Sequence, residues 1–462
     1  MAQLLRGWGR TAPSFGRLVR PEDAQALTEL LATRPSDGPQ GGQPAGGLIA
    51  RGLGRSYGDA AQSGGGIVVD TAGFDSIGPV DPETGIVEVG SGVSLDELIA
   101  RSLPLGWFVS VSPGTRWVTV GGAIAADVHG KNHHRDGGFC SHVTSLTLAT
   151  PTGTRVVGPD TDAELFWATA GGMGLTGVIT GATLRLTGVE TSWMVVDTER
   201  FAVLDDLMAV MDASDASYRY SVAWVDFSPG HRGFGRAVLT RGDHATAGAL
   251  GPARRERAVE VPHAPRLRVP VLAPRWLVNP ATVRAFNEVI FRRSPRRRPG
   301  ALQPLASFFH PLDVVADWNL LYGAPGFVQY QFVVGAAQAE AVHRTAAMLQ
   351  AARVSCSLAV LKRFGPGDPG PLSFPMEGWT LALDFPAGQE RLPALLDQLD
   401  QLVASVGGRV YLAKDARLSP ELLAVMYPAV GKLADVRRRV DPDGLLGSDL
   451  TRRLGLSGAP RE

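Results

Sequence analysis

Six glycines fall within the sixteen residues RGLGRSYGDAAQSGGG, Arg51 to Gly66, directly behind the apolar run GLIA. Only glycine lets a backbone take positive φ freely and come into contact with another group, so a strand feeding this segment must end in a turn of bare amides. Two uses fit such a turn: a cradle offering successive N–H groups to a phosphate, or a tight turn at the surface. The spacing excludes the two best-known cradles. G-x-G-x-x-G would need glycine at Tyr57, and the Gly-Lys-Ser/Thr of the Walker pattern is missing from the stretch.

Up to about residue 190, short apolar runs (GLIA, GIVVD, GIVEVG, WFVSV, GVITGATLRL) alternate with helix starts. Ser94-Leu-Asp-Glu97 and Thr161-Asp-Ala-Glu164 both read as capping boxes. Residues 191–405 change to longer runs, YSVAWVDF, GFVQYQFVV and GWTLALDF, as expected of a broad antiparallel sheet with helices on one face. Residues 406–462 return to the earlier style, with GGRVYLAKDAR, a helix and the arginine-rich VRRRVDPDGLL. The expected architecture is an α+β fold of two domains, 1–190 and 191–405, with 406–462 returning to the first. Inside the second, residues 241–276 are rich in Pro, Ala and Arg without periodicity, and at that length read as a mobile lid or, failing that, a disordered segment.

Lys plus Arg equals Asp plus Glu, 45 each, so no global field draws nucleic acid and an anion site must be local. RRSPRRRPG, Arg292 to Gly300, lacks interleaved aromatics and reads as a solvated loop, with a second use in meeting a lipid phosphate or an anionic membrane surface. Cys140 and Cys356 form neither a metal spacing nor a disulfide framework. No apolar stretch reaches signal-peptide or membrane-span length, so the expected location is the cytoplasm or the periphery of the inner membrane, the periplasm staying open.

PGTRWVTVGGAIAADVHGKNHH, Pro113 to His134, adds Gly114, Gly121 and Gly122 before three histidines. His129 and His133 stand four apart, but no carboxylate or cysteine completes a set and Gly130 disfavours a helix between them, so no metal is expected. LFWATAGGMGLTGVIT, Leu165 to Thr180, is a helix ended by a Gly-Gly-x-Gly turn into a strand, which alone means C-capping.

In order and spacing, RGLGRSYGD, PGT…VGGAIAADVHGKNHH and ELFWATAGGMGLTG resemble the FAD-binding domain of the vanillyl-alcohol oxidase (PCMH) type. More narrowly, HGKNHH, SFFHPLD, FVQYQFV, FGPG…PLSFP, AKDAR and SDLTRRL resemble the family of decaprenylphosphoryl-β-D-ribose 2′-oxidases, with the likeness running from about Gly7 to Leu456. The resemblance implies that Ala50, Arg51, Gly52, Leu53, Gly54, Arg55, Ser56, Tyr57, Gly58, Asp59 and Ala60 wrap the FAD pyrophosphate. It also implies that Gly114, Thr119, Val120, Gly121, Gly122, Ala126, Asp127, Val128, His129, Ile179 and Tyr411 complete the flavin site. Many proteins of this type tether FAD through a histidine of the first loop. Here that loop offers Tyr57 and no histidine, so the cofactor is expected to be noncovalent.

The implied reaction oxidises the 2′-hydroxyl of a polyprenyl-phosphate ribose to a ketone, the first half of an epimerisation that supplies cell-wall arabinan. An NAD-dependent short-chain reductase would be the second subunit. Lys414 and His129 are the catalytic candidates, Lys414 as base or as the charge that stabilises reduced flavin. Gln329 and Gln331, two apart on a strand, share a face and match the substrate pocket, as do Lys362 and Trp224, for which solvated charge and sheet packing stay open. Three pocket positions depart from the family pattern: Phe309 replaces a tyrosine, Thr380 an asparagine and Ala382 a cysteine. The rival functions are a sugar-lactone or alditol oxidase of the same flavin fold and a flavin-carrying, non-catalytic partner protein.

Overall fold

The computed structural model describes residues 2–456 apart from 33–45, 229–232, 262–264, 266 and 275. Its α+β architecture rests on three main sheets. In the first, Ala2–Leu5 pairs antiparallel with Ser14–Val19, and Ile67–Asp70 lies parallel between Ser14–Val19 and Leu48–Arg51. The run GLIA is thus a short strand, and the glycine-rich turn leaves from its end. The second sheet orders Ile86–Gly90, Val178–Arg185, Val143–Thr150 and Gly153–Val157, all antiparallel. Between them, helix Leu95–Ser102 starts from the expected capping box: Ser94 Oγ accepts from Glu97 N, and the Glu97 carboxylate accepts from Ser94 N at 2.8 Å.

Eight antiparallel strands make the third sheet, in the order Arg297–Pro304, Trp193–Phe201, Ala237–His244, Tyr220–Val225, Leu358–Phe364, Gly378–Pro386, Phe327–Gly335 and Arg409–Val410. Strand Phe327–Gly335 alternates its side chains by period two. Tyr330 and Phe332 join the main core that takes in helix Leu392–Ser405, while Gln329 and Gln331 share the opposite face. The chain's last segment stitches the pieces together. Arg409–Val410 extends the large sheet, Tyr57 N donates to Ala413 O at 2.9 Å, and Leu446 bridges Leu48 in the first sheet.

Three local expectations are corrected. The cap of helix Ala163–Thr169 is Asp162, whose carboxylate accepts from Leu165 N at 3.1 Å, one residue past Thr161. Of the stretch 241–276, Arg241 to His244 belong to strand Ala237–His244, where Arg241 is buried beside Glu199. The rest holds helix Pro252–Arg255 and strand Leu267–Arg268, which pairs with Val315–Ala316; residues 262–264, 266 and 275 lie outside the described residues. RRSPRRRPG is no loop: from Arg297 it is the exposed edge strand of the large sheet. Arginine and proline at such a place keep an open edge from pairing with another chain.

Candidate functional site

A cavity of about 460 Å³ opens between the glycine loops of the N-terminal half and the polar face of the large sheet, within the range of small-molecule sites. One wall carries Ala50, Gly52 to Tyr57, Ala60, Gly114, Thr119, Gly121, Gly122, Ala126, Val128, His129 and Ile179. The facing wall carries Gln329, Gln331, Lys362 and Ala382, and Tyr411 and Lys414 of the last segment close it. Segments far apart in sequence therefore converge on one space.

Other expected residues stand behind these walls. Arg51 donates to the carbonyls of Ala61 and Arg6 at 2.8 Å each, and Asp59 is paired with Arg453. Gly58 presses on the tail, where an added Cβ would collide with the Asp415 carbonyl oxygen. Val120 is core, and Asp127, at φ 41°, accepts from Ser373 at 2.6 Å. Phe309 is fully buried against Phe108, Tyr220 and Phe308. Trp224 sits opposite Val360 in the sheet, outside the cavity wall, and Thr380 lies behind Gln331.

Sequence reasoning missed several wall residues. Trp8 stacks under the Arg55 guanidinium at 3.9 Å, and Ser91, Trp117, Asp313 and Arg268 also border the space. An aromatic residue between two glycines, Gly7-Trp8-Gly9, was the available signal.

The glycines of the opening turn serve protein contacts as well as openness. A Cβ at Gly52 would strike Thr119, one at Gly54 (φ 64°) the Arg51 guanidinium, and one at Gly58 the tail. Gly114 differs, since a Cβ there would meet no protein atom within 4 Å and its bare backbone borders the cavity. The buried Ser91 Oγ, Gln329 Oε1 and Gln331 Oε1 belong to cavity-lining residues and have no hydrogen-bond partner among the described residues. Bare backbone on one side and unspent acceptors on the other suit a flat, polar-edged ring with phosphates, so these residues fit FAD.

Around the sheet wall the charges are strongly perturbed. Burial, opposed by the Asp384 carboxylate, lowers the Lys414 ammonium from 10.5 to about 8, and its Nζ lies 5.3 Å from the Tyr57 ring centre. Asp384, which accepts from Gln329, is pushed up to about 6 by burial. His129 is wedged among Phe364, Phe374 and Tyr411, and burial first, with the Lys414 ammonium adding to it, holds it well below its ordinary value. Its Nδ1 lies 2.9 Å from Lys362 Nζ and its Nε2 3.0 Å from Gln331 Nε2. Burial and the neighbouring Lys414 and Lys131 ammoniums depress Lys362 as well. His133, packed 4.4 Å from Phe364, falls to about 3 through burial, and among the described residues no group of three His, Cys, Asp or Glu side chains is placed to hold a metal.

Comparison with known proteins agrees with this geometry. Residues 18–158 match the FAD binding domain family. The chain is 42% identical over 457 residues to decaprenylphosphoryl-β-D-ribose oxidase of Mycolicibacterium smegmatis, covering 98% of this chain and 97% of that one. It is 41% identical over 372 residues to an uncharacterized protein in the mprA 5′ region of Streptomyces coelicolor, covering 79% of this chain and all of that one. An uncharacterized oxidoreductase from the fasciation locus of Rhodococcoides fascians is 32% identical over 146 residues, about a third of each chain. With a glycine-lined flavin wall, a polar sheet wall and near full-length identity, the chain belongs to the decaprenylphosphoryl-β-D-ribose oxidase family of FAD-dependent oxidoreductases.

Proposed function

We propose that this protein oxidises the 2′-hydroxyl of a polyprenylphosphoryl-β-D-ribose to the 2′-ketone. The observation that carries the reading is the meeting of His129, from the glycine-loop wall, with Gln331, Lys362 and Lys414 of the facing wall in one cavity. FAD, when bound, supplies the hydride acceptor. Ala50, Gly52 to Tyr57, Ala60, Gly114, Thr119, Gly121 and Gly122 would hold it, without a covalent link because Tyr57 stands where a tethering histidine would. At neutral pH Lys414, at about 8, is mostly charged, which suits it to stabilise negative charge developing beside it. Gln329, with its free Oε1, is placed to orient sugar hydroxyls.

A 2′-ketone is half of an epimerisation, so a reductase delivering hydride to the opposite face is the expected partner, and the product would serve as an arabinose donor for cell-wall arabinan. Exposed Leu267, Val271, Leu312 and Val314, near Arg268 at the cavity rim, support contact with a membrane surface from which a lipid substrate is drawn. No helix among the described residues is long and apolar enough to cross a membrane. Anaerobic bleaching of the FAD-loaded protein tests the reading. Polyprenylphosphoryl ribose should bleach it while free pentoses, alditols and sugar lactones do not. Bleaching by a lactone or alditol instead overturns the substrate class, and bleaching by none of them overturns the activity.

A further inference from the structure

Thr380 lies one layer behind the cavity, yet its hydrogen bonds decide the proton positions of the residues that line it. Its hydroxyl donates to the Phe332 carbonyl at 2.9 Å. A hydroxyl has one proton, so toward any other neighbour Thr380 Oγ1 can only accept. That neighbour is Gln331, whose Nε2 lies 2.9 Å away, so the amide must turn its NH₂ and not its oxygen to Thr380. The same NH₂ stands 3.0 Å from His129 Nε2 and has a second proton to give, which requires Nε2 to be bare. A neutral imidazole keeps one proton, and it is left on Nδ1. Nδ1 is 2.9 Å from Lys362 Nζ, and an N–H facing that nitrogen forms a hydrogen bond only with a lone pair.

We propose that Thr380 acts through Gln331 and His129 as a positioning residue that fixes the Nδ1–H tautomer of His129 and holds Lys362 as an uncharged amine. The groups around Lys362 are consistent with this. His129, Lys131 and His133 face it from the 129–134 loop and Lys414 from the last segment, with Asp384 of the neighbouring strand acting on Lys414 instead. Lys131 is already spent on the Phe308 carbonyl. With Lys362 neutral, Lys414 can keep its proton and carry the positive charge of this corner of the site, because two adjacent ammoniums would depress each other. The family pattern places asparagine at this position. An amide there both donates and accepts, so it could not fix the orientation of Gln331, and the lock belongs to chains with a hydroxyl at residue 380.

The catalytic meaning of the lock rests on the oxidase reading, but its test does not need substrate. The FAD-loaded protein is labelled with ¹⁵N-histidine, and the His129 ring signals are assigned by their loss in His129→Gln. The parent should show protonated Nδ1 and bare Nε2, unchanged from about pH 6 to 8. Thr380→Ser, which keeps the hydroxyl, should keep the pattern. In Thr380→Val, Gln331 is free to turn, and the Nδ1–H signal should weaken or move to Nε2. The high-pH limb of flavin reduction should then shift to lower pH as Lys362 takes a proton in competition with Lys414. A parent with Nε2–H overturns the proposal, even where the Val variant does not fold, and so does a folded Val variant with the parent's pattern. Failure of the lipid substrate to bleach the flavin would overturn the function and leave the tautomer result standing.

Discussion

Lys414→Met is expected to make the protein more stable and far less active. A fall in pKa from 10.5 to about 8 means that folding holds the Lys414 ammonium at a cost of up to ~3 kcal/mol, at ~1.4 kcal/mol per unit. The sign follows from proton counts. Below about pH 8 both folded and unfolded chains carry the proton and the cost is fully present. Between about 8 and 10.5 the unfolded chain still holds it while the folded protein has released it, so parental stability climbs with pH and the cost is gone above 10.5. The methionine variant should therefore lead most near neutral pH, and its lead should shrink to ~1 kcal/mol by about pH 10. For a chain of 462 residues, ~2 cal/mol/K per residue gives an unfolding entropy near 1 kcal/mol/K, so the lead is ~3 °C in Tm. Differential scanning fluorimetry of both proteins with saturating FAD, at several pH values, reads the change in the difference, which packing effects of methionine do not touch. Single-turnover flavin reduction should fall by ~100-fold or more as the charge is lost. A pH-independent Tm difference would refute the burial cost, and reduction within a few-fold of the parent would refute the catalytic charge.

Further outcomes follow from the same walls. Acid precipitation should release all flavin into the supernatant, and yellow colour in the washed pellet would contradict noncovalent binding. Gly58→Ala drives a methyl into the backbone carbonyl of Asp415, so it should lower soluble yield and Tm and separate the first loop from the tail, read as loss of bound FAD on gel filtration. Ala382 lines the cavity between Gln331 and Val360 on the adjacent strands. Ala382→Cys should gain a covalent adduct with a nitroaromatic reduced at the flavin while the parent stays unlabelled by intact-protein mass spectrometry.

Much of the flavin half was legible because glycine and capping residues act locally. Ser94 with Glu97, and Gly171 and Gly174 at positive φ after helix Ala163–Thr169, stand where the spacing put them. The resemblance carried the sheet wall, since Gln331, Lys362 and Lys414 lie on three separate segments that no local pattern joins. What misled was charge and proline. Arg292 to Gly300 reads as a loop, although its last residues open the strand Arg297–Pro304, because the devices that protect an edge strand are those that mark a loop. Arg241 reads as the start of a mobile loop but lies in a strand, its guanidinium stacked 4.7 Å from the Tyr218 ring centre. Phe309 and Thr380 matched pocket positions, but one is core and the other touches the cavity only through Gln331, a distinction of depth that spacing along a chain does not encode.

The stitching of the last segment sets an order for biosynthesis. Tyr411 and Lys414 close the cavity, Ala413 accepts from Tyr57, and Arg453 holds Asp59 and Asp415 together. A nascent chain that has made the whole glycine-rich half still lacks these partners, and the turn after Leu48–Arg51 is held by Arg6, Trp8 and Thr119 before the segment from Tyr411 to Arg453 joins it. Cofactor loading is therefore expected to wait for the segment that carries Tyr411 and Lys414, and a chain cut before residue 406 should elute from gel filtration without flavin.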